Sequence, residues 1–277
     1  MLALLLSLSA ALCYGIGDFV GGTLSKRTSP WAIVVVAQST GALAVLALAL
    51  VMGGAPESAD YLWAVGAGVC NGIGTAFLYR GLSSGRMGVV APISGVGAAA
   101  LPVLVGVLAG ERPGTLVWLG ILAALPGIWL VSREPGGSGG SPATGFVDGV
   151  LAGVGFGGLF ACLGQIPDDA GFLPLALNQV VATLAVIVVA TAVGVPWLPR
   201  DPAAALGTIS GLLGAGATLS FLLATQTGFL TVAAVITSLY PAVTVVLAAA
   251  VLREAVHRGQ AFGLIFCLAA VALVASG

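Results

Sequence analysis

The chain has 277 residues, of which 59% are hydrophobic and 7% charged, with a formal net charge of −1 and a mean hydropathy of +1.14. Soluble domains carry about 25% charged residues, so this composition excludes an ordinary soluble globular domain and indicates a polytopic membrane protein. The near-zero charge and the absence of a basic patch argue against binding to nucleic acid, and we expect no nucleic-acid partner.

The chain contains ten apolar segments in succession. Each has a length near the value that a helix needs to cross the hydrocarbon, which is about 20 residues. They are predicted at 2–24, 30–53, 61–83, 87–110, 114–132, 147–166, 172–195, 203–226, 229–252 and 258–276. The breaks between them are charged or rich in glycine and proline. The sequence therefore predicts an all-α polytopic membrane protein with ten transmembrane helices.

The two halves of the chain match each other at a nearly constant offset. Gly157 falls on Gly15 after 142 positions, and Gln179 falls on Gln38 after 141. Each half has five segments, an odd number, so the halves must enter the membrane in opposite directions, as a 5+5 inverted repeat. The predicted units are a first five-helix repeat over 1–132, a flexible Gly/Ser/Pro-rich linker over 133–145 and a second five-helix repeat over 146–277.

Positively charged side chains gather on one side of the predicted segments. The odd-numbered connections and the end of segment 3 carry Lys26, Arg27, Arg80, Arg86, Arg133, Arg200, Arg253 and Arg258. The even-numbered connections carry only Arg112. Because cytoplasmic loops are enriched in Lys and Arg, we predict a multi-pass protein of the cell (inner or plasma) membrane with both termini on the outer side.

Three stretches resemble a known family. Residues 13–22 read "CYGIGDFVGG", residues 79–113 read "YRGLSSGRMGVVAPISGVGAAALPVLVGVLAGERP", and residues 231–256 read "TVAAVITSLYPAVTVVLAAAVLREAV". With ten short helices in two halves, the chain resembles the drug/metabolite transporter superfamily, and within it the EamA-type family, over nearly its whole length. The resemblance implies a secondary transporter of small metabolites, often an exporter of amino acids or amphipathic compounds.

The two acidic–basic pairs at the ends of segments 4 and 9 differ in order. Glu111-Arg112 follows the Gly-Glu-Arg pattern of the family, whereas the second copy is Arg253-Glu254. This departure weakens any fixed role for the arginine. We interpret both pairs as charged helix ends at water.

Asp18 is an acidic residue within the apolar first segment. At 3.6 residues per turn it shares a small, polar face with Tyr14, and this face is predicted to pack on protein or to line a cavity. A charged residue near a helix centre costs about 2.5–3.5 kcal/mol on insertion scales, which argues against lipid exposure. Two interpretations are open: a proton-coupling or amine-binding carboxylate, or a structural ion pair with Lys26, Arg27 or Arg80 near the cytoplasmic face.

Further polar residues are predicted to face a central cavity between the repeats, lined by segments 1–4 and 6–9 with segments 5 and 10 peripheral. They are Gln38 in segment 2, Asn71, Thr75 and Tyr79 in segment 3, Asn178 and Gln179 in segment 7, and Thr237 and Tyr240 in segment 9. The alternative for the amides is hydrogen bonding between helices, worth about 0.6 kcal/mol each on average. Tyr240-Pro241 is expected to kink segment 9.

The sequence offers little else for catalysis. A single histidine, His257, and four separate cysteines lack the spacing of a metal site or a catalytic triad, so we expect no enzyme, no metal and no cofactor.

The expected cavity suits a neutral, zwitterionic or amphipathic solute, which would be transported by alternating access. The alternatives are a non-transporting membrane assembly or receptor protein and an integral-membrane lipid-phosphate enzyme, which would need clustered acidic and basic residues. The expected partners are a small-molecule substrate and the lipid bilayer; a homodimer is compatible with the sequence, but a monomer is sufficient.

Overall fold

The computed structural model describes residues 1–25, 27–83, 87–132, 142–253 and 255–277. In chain order the α-helices are α1 Leu2–Ser25, α2 Pro30–Met52, α3 Ser58–Ser83, α4 Met87–Leu108, α5 Thr115–Ser132, α6 Pro142–Leu163, α7 Leu173–Val193, α8 Gly207–Thr227, α9 Leu230–Thr237, α10 Tyr240–Val251 and α11 Arg258–Ser276. No β-strand occurs among the described residues, so the predicted all-α class is confirmed. The first turn of α6 falls within the predicted linker, and the rest of that linker, 133–141, lies outside the described residues.

Ten membrane crossings fit these helices. Over the described ranges, nine helical stretches are long and apolar enough to cross a membrane, with α9 and α10 counted as the single span Leu230–Val251. The tenth crossing is α4, whose described apolar stretch Ile93–Leu108 is shorter but whose 22 residues rise about 33 Å. The number of crossings agrees with the ten predicted segments.

Segment 9 is two helices rather than one. α9 ends at Thr237, and α10 begins at Tyr240. Pro241 has no N–H, so the Thr237 carbonyl loses the donor that would continue the helix. The chain turns tightly there, with the Leu239 N–H donating to the Ile236 carbonyl at 3.2 Å. The predicted kink is confirmed, and it places Tyr240 at the start of a new helix.

Equivalent helices of the two halves run antiparallel. Near the start of α2, Trp31 shares a buried cluster with Val186 and Ala190 near the end of α7. Further along α2, Gly41 lies beside Gln179, near the start of α7. The start of α2 therefore lies beside the end of α7, so these two helices are antiparallel. The contacts between α5 and α11 show the same arrangement. The two halves form the inverted repeat that their odd number of segments predicted.

Two matched glycines allow equivalent helix crossings. A Cβ atom on Gly15 would lie 2.7 Å from the Tyr240 carbonyl oxygen, and a Cβ atom on Gly157 would lie 2.8 Å from the Gly97 carbonyl oxygen. Tyr240 and Gly97 are themselves 143 positions apart. The repeat thus reproduces a close contact that only glycine permits.

The main helix pairs join one repeat to the other. α3 packs on α6 and α7, α1 packs on α8, α4 packs on α6, and α5 packs on α11. The halves therefore interleave instead of forming two separate lobes. A buried core that includes Leu163, Phe221 and Leu230 lies among these crossings.

Glu111 joins the two repeats at the start of α9. Its Oε1 accepts the Leu230 N–H at 2.6 Å, and its Oε2 accepts the Thr231 N–H at 2.9 Å. The first four N–H groups of a helix have no partner within it, and a carboxylate also suits the positive end of the helix dipole. Glu111 therefore caps a helix and is not a charged end at water as expected, whereas Arg112 is exposed. Its repeat partner, Glu254, lies outside the described residues.

Replacing Glu111 by glutamine and then by alanine is expected to lower the thermal stability of the protein in two steps. Glutamine keeps one acceptor oxygen and alanine keeps none, and a hydrogen bond to a charged group contributes about 1.5–3 kcal/mol. The unfolding midpoint in detergent should fall in the order wild type, Glu111→Gln, Glu111→Ala. The control is Arg112→Ala, which removes an exposed donor to the Glu111 carbonyl. Equal midpoints for Glu111→Ala and Arg112→Ala would contradict the capping role.

Candidate functional site

A cavity of about 110 Å³ lies between α1, α2, α3, α6, α7, α8 and α10. Eight of the ten predicted site residues line it: Tyr14, Asp18, Gln38, Asn71, Thr75, Tyr79, Gln179 and Tyr240. Both repeats contribute walls, so the cavity lies where they meet. No lining residue within the described ranges comes from α5 or α11, which were predicted to be peripheral, and none comes from α4, contrary to the prediction for segment 4.

Asn178 and Thr237 lie outside this lining, which corrects the sequence prediction. Asn178 is fully buried, and its backbone carbonyl packs against Gly68 of α3, so it lies at a contact between helices and not on the cavity wall. The Thr237 hydroxyl donates to the Ser7 carbonyl at 3.5 Å, which connects α9 to α1.

Amide and hydroxyl side chains form a hydrogen-bonded relay along the cavity wall. Gln38 Nε2 donates to Asn71 Oδ1 at 3.3 Å, and Asn71 Nδ2 donates to Gln179 Oε1 at 3.5 Å. Gln179 Nε2 donates in turn to Thr218 Oγ1 at 3.4 Å. The relay connects α2, α3, α7 and α8, and so joins both repeats. Its distances are at the long end for hydrogen bonds, so a bound solute can compete for these groups.

The first helix of each repeat presents a chemically different wall to the cavity. The lining residues are Tyr14, Gly17 and Asp18 in α1 and, 142 positions later, Phe156, Leu159 and Phe160 in α6. The positions are equivalent, but α1 supplies a phenol and a carboxylate where α6 supplies only apolar groups. The cavity therefore has one polar side and one apolar side.

A chain of aromatic rings borders the cavity. The ring centroid of Tyr14 lies 6.0 Å from that of Tyr240 and 6.1 Å from that of Phe160. Phe160 stacks on Phe221 with centroids 4.4 Å apart, and both side chains are buried. Phe160 lies near the end of α6 as Asp18 lies toward the end of α1, so in the inverted repeat they mark opposite ends of the site.

The Asp18 carboxylate has no hydrogen-bond or ion-pair partner among the residues that the structure describes. Arg80 pairs with Asp148 of α6, and its Nε donates to Asp148 Oδ1 at 2.9 Å. The structural interpretation of Asp18 as the partner of Arg80 is therefore wrong, and Arg27 does not pair with it either. Lys26 lies outside the described residues. Asp18 is partly exposed and lines the cavity.

Asp18 is also the sole charged side chain in the described part of the lining. No lysine, arginine or histidine accompanies it there, so these walls offer no cation to bind an anion. In the described parts of the chain, no group of three or more His, Cys, Asp or Glu residues is placed to hold a metal ion.

Four lining residues of α8 were missed by the sequence analysis: Ser210, Gly211, Gly214 and Thr218. Thr218 is the repeat equivalent of Thr75, and Gly214 is that of Asn71, each at 143 positions. Extending the repeat comparison to α8 would have identified both. Ser210 donates to the Gly17 carbonyl at 3.1 Å, and no feature of the sequence marks it.

Comparison with known proteins agrees with this architecture. The chain matches the family model described as "EamA-like transporter family" over residues 1–133 and 144–276. A comparison with curated proteins gave no match. A solved structure described only as "Crystal structure of protein" has a TM-score of 0.76 at 17% identity, covering 99% of this chain and 98% of that one, which shows a common fold. Because the family match spans nearly all of both repeats, this multi-pass membrane protein belongs to the EamA-like transporter family, whose members are transporters of the drug/metabolite type and not enzymes.

Proposed function

We propose that this protein exports small amphipathic solutes that are neutral or zwitterionic, amino acids among them, by secondary transport. The observation that carries the proposal is the cavity at the junction of the repeats, with a hydrogen-bonding side and an apolar side. Ligand sites combine apolar walls with a few placed polar groups in this way. The carboxylate of Asp18 is the sole charge among the described lining residues, and it would repel an anion, which disfavours phosphate esters.

Alternating access would follow from an exchange of conformation between the two repeats. Phe160 and Phe221 now stack and are buried beside the cavity, which supports a closed end there. After the exchange, their repeat equivalents Asp18 and Leu78 would take the closed positions. Burying a charged carboxylate in hydrocarbon is costly, so Asp18 would first have to be neutralised. We propose that a proton neutralises it and thereby couples transport to the proton gradient.

Transport by the purified protein tests this proposal directly. Liposomes containing the protein are loaded with one unlabelled amino acid at a time, and entry of the same labelled compound is followed as counterflow. Labelled solute should overshoot its equilibrium level for apolar and small polar amino acids and should not do so for sugar phosphates. Protein-free liposomes give the background. A folded protein that moves none of the twenty amino acids would favour the alternative of a membrane assembly or receptor protein.

The position in the cell membrane is also proposed from the distribution of Lys and Arg. With both termini on the outer side, the Phe160 end of the site would be the outer end, and the present conformation would be closed to the outside. We propose that a monomer is sufficient for transport, because a single chain contains both repeats.

Cysteine labels at Ser58 and at Ser138 are expected to react from opposite sides of the membrane. Ser58 begins α3 on the proposed outer side, and Ser138 belongs to the predicted linker, outside the described residues. A membrane-impermeant maleimide added to intact cells should label Ser58→Cys and should reach Ser138→Cys only after lysis. The chain without an added cysteine controls for its four native thiols, which lie within helices. Labelling of both positions from outside would refute the orientation.

A further inference from the structure

In the first repeat, the side chain of Asn71 supplies an oxygen to two donors. Its Oδ1 accepts from Gln38 Nε2 at 3.3 Å and from Thr75 Oγ1 at 3.3 Å. The Thr75 hydroxyl also lies 2.8 Å from the Asn71 carbonyl oxygen one turn earlier. An amide from α2 and a hydroxyl from α3 thus converge on one oxygen at the cavity wall.

The second repeat has the same donors at equivalent positions. Equivalent helix contacts establish which residues of the two repeats correspond. A Cβ atom on Gly68 would contact the Asn178 carbonyl oxygen, and a Cβ atom on Gly211 would contact the Ala37 carbonyl oxygen. Gly68 and Gly211 are 143 positions apart, and Ala37 and Asn178 are 141 apart. With these offsets, Gln179 corresponds to Gln38, Thr218 to Thr75, and Gly214 to Asn71.

Gly214 leaves the equivalent space open. No heavy atom of another helix lies within 4 Å of the position that its Cβ would take, and Gly214 lines the cavity. Gln179 Nε2 instead donates to Thr218 Oγ1 at 3.4 Å, and the Thr218 hydroxyl donates to the Gly214 carbonyl at 3.0 Å. The two donors are present, and the oxygen that they would share is missing.

We infer that the transported solute supplies this oxygen. A carboxylate or carboxamide oxygen over Gly214 would accept from Gln179 Nε2 and Thr218 Oγ1. The single Thr218 hydroxyl hydrogen would be shared between the solute and the backbone carbonyls of its own helix, as Thr75 shares its hydrogen between Asn71 Oδ1 and the Asn71 carbonyl. The inference rests on the proposed function and narrows its substrate class to solutes with a carboxyl or carboxamide group. The apolar remainder of the solute faces the wall formed by Phe156, Leu159 and Phe160 of α6.

Three related probes test the inference: L-valine, L-valinamide and isobutylamine, which is valine without its carboxyl group. Each probe is added as an unlabelled competitor, and the decrease in counterflow of a labelled amino acid is measured. Valine or valinamide should compete better than isobutylamine by about tenfold or more, the effect expected of a hydrogen bond to an acceptor oxygen. Thr218→Val should remove most of this preference. Thr75→Val, the matched change in the first repeat, should preserve it, because the oxygen opposite Thr75 belongs to Asn71.

Gly214→Asn is the second variant, since it restores the missing side chain. Its amide should occupy the subsite and abolish competition by valine and valinamide, whereas Gly214→Ala should retain it. A preference unchanged by Thr218→Val, isobutylamine competing as well as both other probes, or failure of all three to compete would each overturn the inference while transport itself persists. Absence of any counterflow by the wild type would instead overturn the proposed function. Competition by valinamide but not by valine would identify the acceptor as a carboxamide.

Discussion

Gly214→Leu is expected to reduce transport to the background of protein-free liposomes without unfolding the protein. The substitution adds four carbon atoms at a position where no heavy atom of another helix lies within 4 Å of the Cβ, inside a cavity of about 110 Å³. The side chain should therefore fill the space of the solute without displacing a neighbouring helix. Leucine is also a better helix former than glycine by about 0.8 kcal/mol, so the unfolding midpoint should not fall.

Gly259→Leu is the matched control for this variant. Gly259 is likewise helical, with no heavy atom of another helix within 4 Å of its Cβ, but it lies in α11, which supplies none of the described lining residues. Counterflow should be retained in Gly259→Leu and lost in Gly214→Leu, with both proteins eluting as single species in detergent. Wild-type counterflow in Gly214→Leu would place the transport path elsewhere in the protein.

Much of the architecture was predictable because the two repeats have matching residues at equivalent positions of the sequence. Gly15 and Gly157 match since each allows the same close helix crossing, and the odd number of segments in each half requires the inversion. Helical periodicity likewise placed Tyr14 and Asp18 on one face, and that face lines the cavity. These features depend on spacing within one helix or on comparison of two equivalent helices.

The errors of the sequence analysis concern features that depend on tertiary contacts. Asn178 and Gln179 are both polar, but Asn178 packs against Gly68 of α3 whereas Gln179 lines the cavity, and the sequence does not distinguish the two positions. Thr237 precedes the break made by Pro241, so the face that it would share with Tyr240 in a continuous helix is interrupted. The capping role of Glu111 depends on the start of α9 lying beside the end of α4, and no local pattern reveals that arrangement.

Asp18→Asn should abolish accumulation driven by a pH gradient and preserve counterflow at equal pH. The second repeat has Phe160 at the equivalent position, so the scaffold does not need a carboxylate there. Asp18 also lacks a hydrogen-bond or ion-pair partner among the described residues. If the exchange of conformations buries Asp18 as Phe160 is buried now, the charged form opposes that step and the protonated form permits it. Asparagine resembles the protonated form permanently, so the step should proceed without a proton.

Accumulation driven by a pH gradient reports proton coupling, whereas counterflow at equal pH reports binding and movement of the solute. With one proton moved per solute, each pH unit provides about 1.4 kcal/mol and supports about a tenfold concentration ratio across the membrane. Wild-type liposomes should approach that ratio, and Asp18→Asn liposomes should remain near a ratio of one while their counterflow continues. Asp168→Asn, which neutralises an exposed carboxylate in the turn before α7, should behave as wild type. Gradient-driven accumulation by Asp18→Asn would exclude Asp18 as the coupling group, and loss of counterflow as well would indicate that Asp18 binds the solute, for example through its amine.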